Sequence, residues 1–185
     1  MPIAILGWGS IIWDPRDLPH YGPWKRGGPK LPIEFSRVSN DCRLTLVIDI
    51  VAGAQCPTRF VLSPRSDVSD AAEDLRRREG TVQKHIGFYN KRTDQSSIEK
   101  YPQQVNIIDV LSQWCNEKRI DALVWTALPS NFKDETEVVF SVEAAITYLR
   151  GLPMSALENS LKYVRNAPEE VDTPLRRRIS AEWPP

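Results

Sequence analysis

The first apolar run, Ile3 to Leu6, is continuous rather than alternating and stops at Gly7-Trp8-Gly9-Ser10. That pattern predicts a buried strand ending in a tight loop. From Asp14 to Pro32 the chain carries five prolines and three glycines, which predicts a long irregular loop. Ile33 and Phe35, then Leu44, Leu46 and Ile48, fall on alternate positions either side of Ser39-Asn40-Asp41. Residues 33–50 therefore read as a two-stranded hairpin. Thr58 to Leu62 reads as a further short strand, closed by Ser63-Pro64.

Past Ser69 the period changes to that of a helix. Ala71, Ala72 and Leu75 form its apolar side, Ser69 or Asp70 its cap and Gly80 its end, so Glu79 falls in the last turn. His85 to Asn90 reads as a strand, and Lys91 to Gln104 as a polar, exposed excursion. Ile107, Val110, Leu111 and Trp114 mark a helix over Ile107 to Arg119, and Leu123 to Leu128 a buried strand. Helices are expected over Ser141 to Leu149 and Ser155 to Val164, separated by Gly151-Leu152-Pro153, and Thr173-Pro174 opens one more turn. Five or six strands and three or four helices without a βαβ alternation predict an α+β fold, a small mixed β-barrel flanked by helices. A length of 185 residues suits one domain across residues 1–185.

Charge narrows the function classes. Lys and Arg number 24 and Asp and Glu 24, so no net field favours nucleic acid or an anionic membrane. The triplets Arg76–Arg78 and Arg176–Arg178 have acidic neighbours and read as solvated faces. No apolar stretch approaches the roughly 20 residues a membrane helix needs, and no basic segment precedes a long apolar run. Cys42, Cys56 and Cys115 are an odd set without a CxxC pair, which fits a reduced, cytoplasmic and metal-free protein.

Two places can carry chemistry. In Gly7-Trp8-Gly9-Ser10 the glycines admit backbone angles closed to other residues, so successive N–H groups can converge on an anion, with the Ser10 hydroxyl as a further donor. A plain turn has the same spelling. Glu79, in Arg78-Glu79-Gly80-Thr81, sits where the negative end of the helix dipole disfavours a carboxylate, which suits a general acid/base. The competing reading is a surface glutamate paired with Arg76 or Arg77. His20 and His85 lack zinc-ligand spacing, no histidine is placed to activate a thiol, and Ser10 lacks a GxSxG context.

These pieces resemble the gamma-glutamylcyclotransferase-like superfamily, which includes gamma-glutamyl, gamma-glutamylamine and glutathione-specific (ChaC-type) cyclotransferases. Leu6-Gly7-Trp8-Gly9-Ser10-Ile11-Ile12-Trp13 looks like the family's opening strand and [YF]GS[NL] substrate loop, most like the ChaC-type Gly-Tyr-Gly-Ser-Leu-Ile-Trp. Glu79-Gly80-Thr81, followed by Gly87-Phe88-Tyr89, is similar to the segment holding the family's catalytic glutamate. Gly151-Leu152-Pro153 resembles its closing stretch, and Phe35, Arg37 and Ser39 resemble a ChaC-type pattern. Trp8 stands where tyrosine is usual, and residues 14–32 and 91–104 depart from the small members.

The resemblance implies a small β-barrel with surrounding helices and a small-molecule gamma-glutamyl substrate. It implies neither cofactor, metal, nucleic acid nor membrane as a partner, and is compatible with a homodimer. The implied reaction is attack of the substrate's α-amine on its γ-carbonyl, releasing 5-oxoproline, as in glutathione metabolism. Such an enzyme needs no nucleophile of its own. Glu79 is the implied general acid/base, and Gly7, Trp8, Gly9, Ser10 and Ile11 the substrate-binding loop. The alternative, from a different class, is a non-catalytic small-molecule-binding or interaction module that keeps the fold.

Overall fold

The computed structural model describes residues 1–97 and 107–184. In chain order the elements are β1 (Ile3–Gly7), β2 (Tyr21–Lys25), β3 (Lys30–Val38), β4 (Leu44–Ile48), β5 (Ala54–Pro57), β6 (Arg59–Leu62), α1 (Val68–Glu79), β7 (Ile86–Asn90), β8 (Gln95–Ser96), α2 (Ile108–Lys118), β9 (Ala122–Thr126), α3 (Phe132–Thr136), α4 (Val142–Arg150), α5 (Met154–Asn166) and α6 (Pro174–Glu182). A 3-10 turn, Gln83–His85, precedes β7. The fold is mixed α+β. It divides into two compact units, one of Met1–Lys30 with Pro57–Leu128, the other of Leu31–Cys56 with Pro129–Pro185.

The first unit holds a six-stranded sheet in the order β2-β6-β1-β9-β7-β8. β1 runs antiparallel to β6 and parallel to β9, and β7 antiparallel to β9. Ile3 and Ile5 of β1, Val61, Ile86, and Ala122 and Val124 of β9 pack against Ala71, Ala72 and Leu75 of α1. Ala4, Leu6, Leu123 and Trp125, on the alternate positions, are equally buried. A strand covered on both sides has no polar face to show, which is why β1 reads as an unbroken apolar run.

The expected barrel is not present: among the described residues both sheets are open. Closure needs two edges able to pair, and this sheet ends in the two-residue β8 on one side. The other edge, β2, lacks an N–H at Pro23 and carries Gly22 at φ 66°. β2 itself lies inside what the prolines and glycines predicted as irregular loop, because an exposed edge strand has no apolar alternation to reveal it. Residues 98–104 of the expected excursion lie outside the described residues.

The second unit holds a three-stranded sheet, β4-β3-β5. The expected hairpin is β3 with β4, pairing Ile33 with Ile48 at one end and Val38 with Leu44 at the other, with a shift of register between Glu34 and Arg37. Its turn is closed by Ser39 N–H on the Arg43 carbonyl at 2.9 Å. The second arginine triplet is only partly the solvated face expected. Arg177 and Arg178 pair with Asp172 and Glu182, but Arg176 donates to the carbonyls of Ala167, Pro168 and Val171, where burial lowers its pKa.

Glu34 of β3 is 1% exposed and ties that strand to the start of α6. Its Oε1 accepts from the Phe35 N–H at 2.8 Å and from the Thr173 hydroxyl at 2.6 Å, and the Leu175 N–H also bonds the carboxylate. Thr173 caps α6 with the same hydroxyl. Burial outweighs these donors and raises the Glu34 pKa, with the charge of Asp49 acting the same way. The folded chain thus binds the Glu34 proton more tightly than the unfolded chain does. The resulting stabilisation is complete below the unfolded value of about 4.3 and is lost as pH rises through the raised folded value. Glu34→Gln removes this dependence. Urea unfolding of the variant is expected to improve relative to wild type as pH rises from about 4 to about 7, on top of a constant offset for the changed hydrogen bond to Leu175. A wild type–variant difference independent of pH would refute the assignment.

Candidate active site

Asp67 starts α1 by accepting the Ser69 N–H at 2.7 Å, two residues before the earliest cap the sequence suggested. Gly80 ends it in the left-handed conformation, φ 62°, with its N–H returned to the last-turn carbonyls. Ala71, Leu75 and Arg78 lie on one face at helical spacing, and that face is buried. The first arginine triplet therefore splits. Arg76 and Arg77 clamp Glu73 on the outside, holding its carboxyl down to about 2, as a solvated face should. Arg78 points the other way, with a side chain only 3% exposed.

The loop after β1 is built by contact rather than by unusual backbone angles. Positive φ occurs among the glycines at 22, 27 and 80, so the left-handed freedom expected of Gly7 and Gly9 is not used. Gly7 is required for a different reason. A Cβ there would lie 2.7 Å from the Trp24 ring and 2.8 Å from the Ile11 side chain. Trp8 and Ile11 are buried, while Ser10 is half-buried. Beyond Gly9 the chain enters a helical turn, with the Ile12 N–H on the Gly9 carbonyl at 3.0 Å and the Asp14 N–H on the Ser10 carbonyl at 2.8 Å. The N–H groups that open such a turn have no acceptor within it.

Arg78 joins the two places. Its Nη1 donates to Glu79 Oε1 at 2.7 Å, and its Nη2 donates to Ser10 Oγ at 3.3 Å and to the Asp14 carbonyl. From the loop side, Arg16 Nη1 donates to the Arg78 carbonyl at 3.0 Å. Glu79, 15% exposed, is thus held one guanidinium away from Ser10. Thr126 completes the set by donating its hydroxyl to Glu79 Oε1 at 3.1 Å. It can do so because it continues the Ala122 and Val124 face of β9, on which α1 lies. β1 and β9 are parallel, with Ile3 opposite Ala122 and Ile5 opposite Val124, so Gly7 and Thr126 end at the same edge. Both hydrogen bonds reach Oε1, and among the described residues none reaches Oε2.

A carboxylate at the C-terminal end of a helix is placed against the dipole, and here the adjacent guanidinium supplies the compensating charge. Glu79 pairs with Arg78, not with Arg76 or Arg77 as a surface glutamate would. Two functional candidates escaped the sequence. Arg78 extends the 71/75 spacing by one step, but its charge groups it with its exposed neighbours in the sequence. Thr126 carried no local signal, because what brings it to Glu79 is the pairing of strands far apart in the chain.

Two of the three thiols lie in surroundings that work against a nucleophile. Burial raises the Cys56 thiol and pushes Cys115 up to about 11, against the thiolate a nucleophile needs. Among the described residues no three His, Cys, Asp or Glu side chains gather as metal ligands, and no helix is long and apolar enough to cross a membrane. Gly151-Leu152-Pro153 joins α4 to α5 in the second unit, where Phe35, Arg37 and Ser39 also lie. No family model, curated protein or solved structure matches this chain.

Proposed function

We propose that the chain is a gamma-glutamylcyclotransferase-like enzyme that releases 5-oxoproline from a gamma-glutamyl amine, amino acid or peptide, with Glu79 as general acid/base. The observation that carries this reading is the bridge from Glu79 through Arg78 to Ser10, in which both hydrogen bonds to the carboxylate fall on Oε1 and, among the described residues, none on Oε2. Glu79 takes one proton from the substrate's α-ammonium, and the freed amine attacks the γ-carbonyl carbon. The bond from that carbon to the leaving nitrogen breaks as Glu79 returns its proton there. The second proton shed by the ring nitrogen departs on the released amine, so no co-reactant is consumed. Closure within one molecule gains from proximity alone, and the polar groups of the Gly7–Ile11 loop are suited to a carboxylate or the developing oxyanion.

One observation favours the binding-module reading: Oε1 of Glu79 is already engaged by Arg78, as in a structural ion pair. Incubation with a panel of gamma-glutamyl amines, amino acids and glutathione, with chromatographic detection of 5-oxoproline, separates the two. The enzyme reading expects product from at least one compound. Saturable binding of panel members with no product from any would select the binding module.

A further inference from the structure

A helix arginine beside two others is ordinarily a surface residue, yet Arg78 is nearly inaccessible and its Nε is buried with no partner among the described residues. Withdrawing a guanidinium from water is costly unless its hydrogen bonds are well made. Here they go to three groups of one locality: the Glu79 carboxylate, the Ser10 hydroxyl and the Asp14 carbonyl. Arg16 fixes the Arg78 backbone from the same loop. For stability alone, an apolar side chain extending the Ala71 and Leu75 face would serve as well.

We infer that Arg78 is a positioning residue. It locks Glu79 by Oε1, together with Thr126, and ties that carboxylate to Ser10, so that Oε2 alone is presented for proton transfer at a fixed distance from the loop. This rests on the reading of Glu79 as the acid/base. The role needs the planar fork of arginine, because two separate nitrogens reach Glu79 and Ser10 at once. A lysine gathers its donors on one nitrogen at the end of a flexible stem, so it has no rigid fork to hold the two partners in fixed relation.

The test is steady-state kinetics of wild type, Arg78→Lys and Thr126→Val on whichever gamma-glutamyl compound wild type turns over, with melting temperature measured alongside. Both variants keep Glu79 and the loop. The expected result is a fall in kcat of about 10- to 100-fold for Arg78→Lys, the usual cost of a misplaced catalytic group, and a smaller fall for Thr126→Val. KM is expected to stay within about threefold in both, since a positioning defect acts on the reacting geometry and not on ground-state binding. A merely structural arginine would lower the melting temperature and the active fraction without this split per folded molecule. If Arg78→Lys does not fold, Thr126→Val decides. Wild-type kcat in the folded variants, or a rise in KM alone, would overturn the inference while leaving Glu79 in its role. A wild type that makes no product from any compound would overturn the reading of Glu79, and this inference with it.

Discussion

Glu79→Gln is expected to lower 5-oxoproline release by a factor of about 10² to 10⁴, the usual contribution of a general acid/base, while the protein stays folded. The amide keeps the shape of the side chain and an oxygen for Arg78 Nη1 and the Thr126 hydroxyl, so the bridge to Ser10 survives. What is lost is the capacity to take a proton at the second oxygen. It also leaves the guanidinium without a counter-charge, and near burial makes that loss felt. A drop in stability of about 1–3 kcal/mol is expected, which for this length moves the melting temperature by roughly 2–12 °C. Kinetics per folded molecule, with folding checked by circular dichroism, separates the two effects. Turnover retained within a few-fold of wild type would end the proposed role of Glu79.

A large effect on folding is expected at Gly87, directly opposite Trp125 in the β7–β9 pair. Trp125 is fully buried, and a Cβ added at position 87 would lie 2.2–2.6 Å from atoms of its indole. The ring is 0% exposed, so it has no solvent-facing space to move into. Gly87→Ala is therefore expected to cost about 3 kcal/mol, at the upper end of what overpacking a core does, or roughly 6–12 °C in melting temperature. Trp125 directly precedes Thr126, so the same displacement carries the hydroxyl away from Glu79. A variant melting with wild type would show that β9 yields more readily than its close packing implies.

Where an element has a side to hide, its side chains declare it. β1, β7, β9, α1, α4 and α5 were all legible in this way, within a few residues at their ends. β2 and β5 were not: one is exposed at every position but Trp24, the other is a four-residue strand with no apolar alternation. The five-residue α3 is too short for a period to register. Barrel closure was expected from many short strands, but closure depends on whether the last edges can pair. Edges interrupted by Pro23 or cut to two residues cannot do so.

The candidate site divides along the same line. Composition and local spacing determined an α+β chain, a buried opening strand that stops at Gly7, and a helix that delivers Glu79 beside Gly80. These are properties of neighbouring residues: burial, periodicity and backbone freedom act over a few positions at a time. Only the tertiary structure decided that Arg78 turns inward while Arg76 and Arg77 turn out, and that Thr126 arrives at the same carboxylate. It also decided that Gly7 is glycine because Trp24 lies on it. The first two are contacts between segments tens of residues apart, set by the parallel pairing of β1 with β9 and the seating of α1 on their shared face; the third follows from β6 pairing with both β1 and β2.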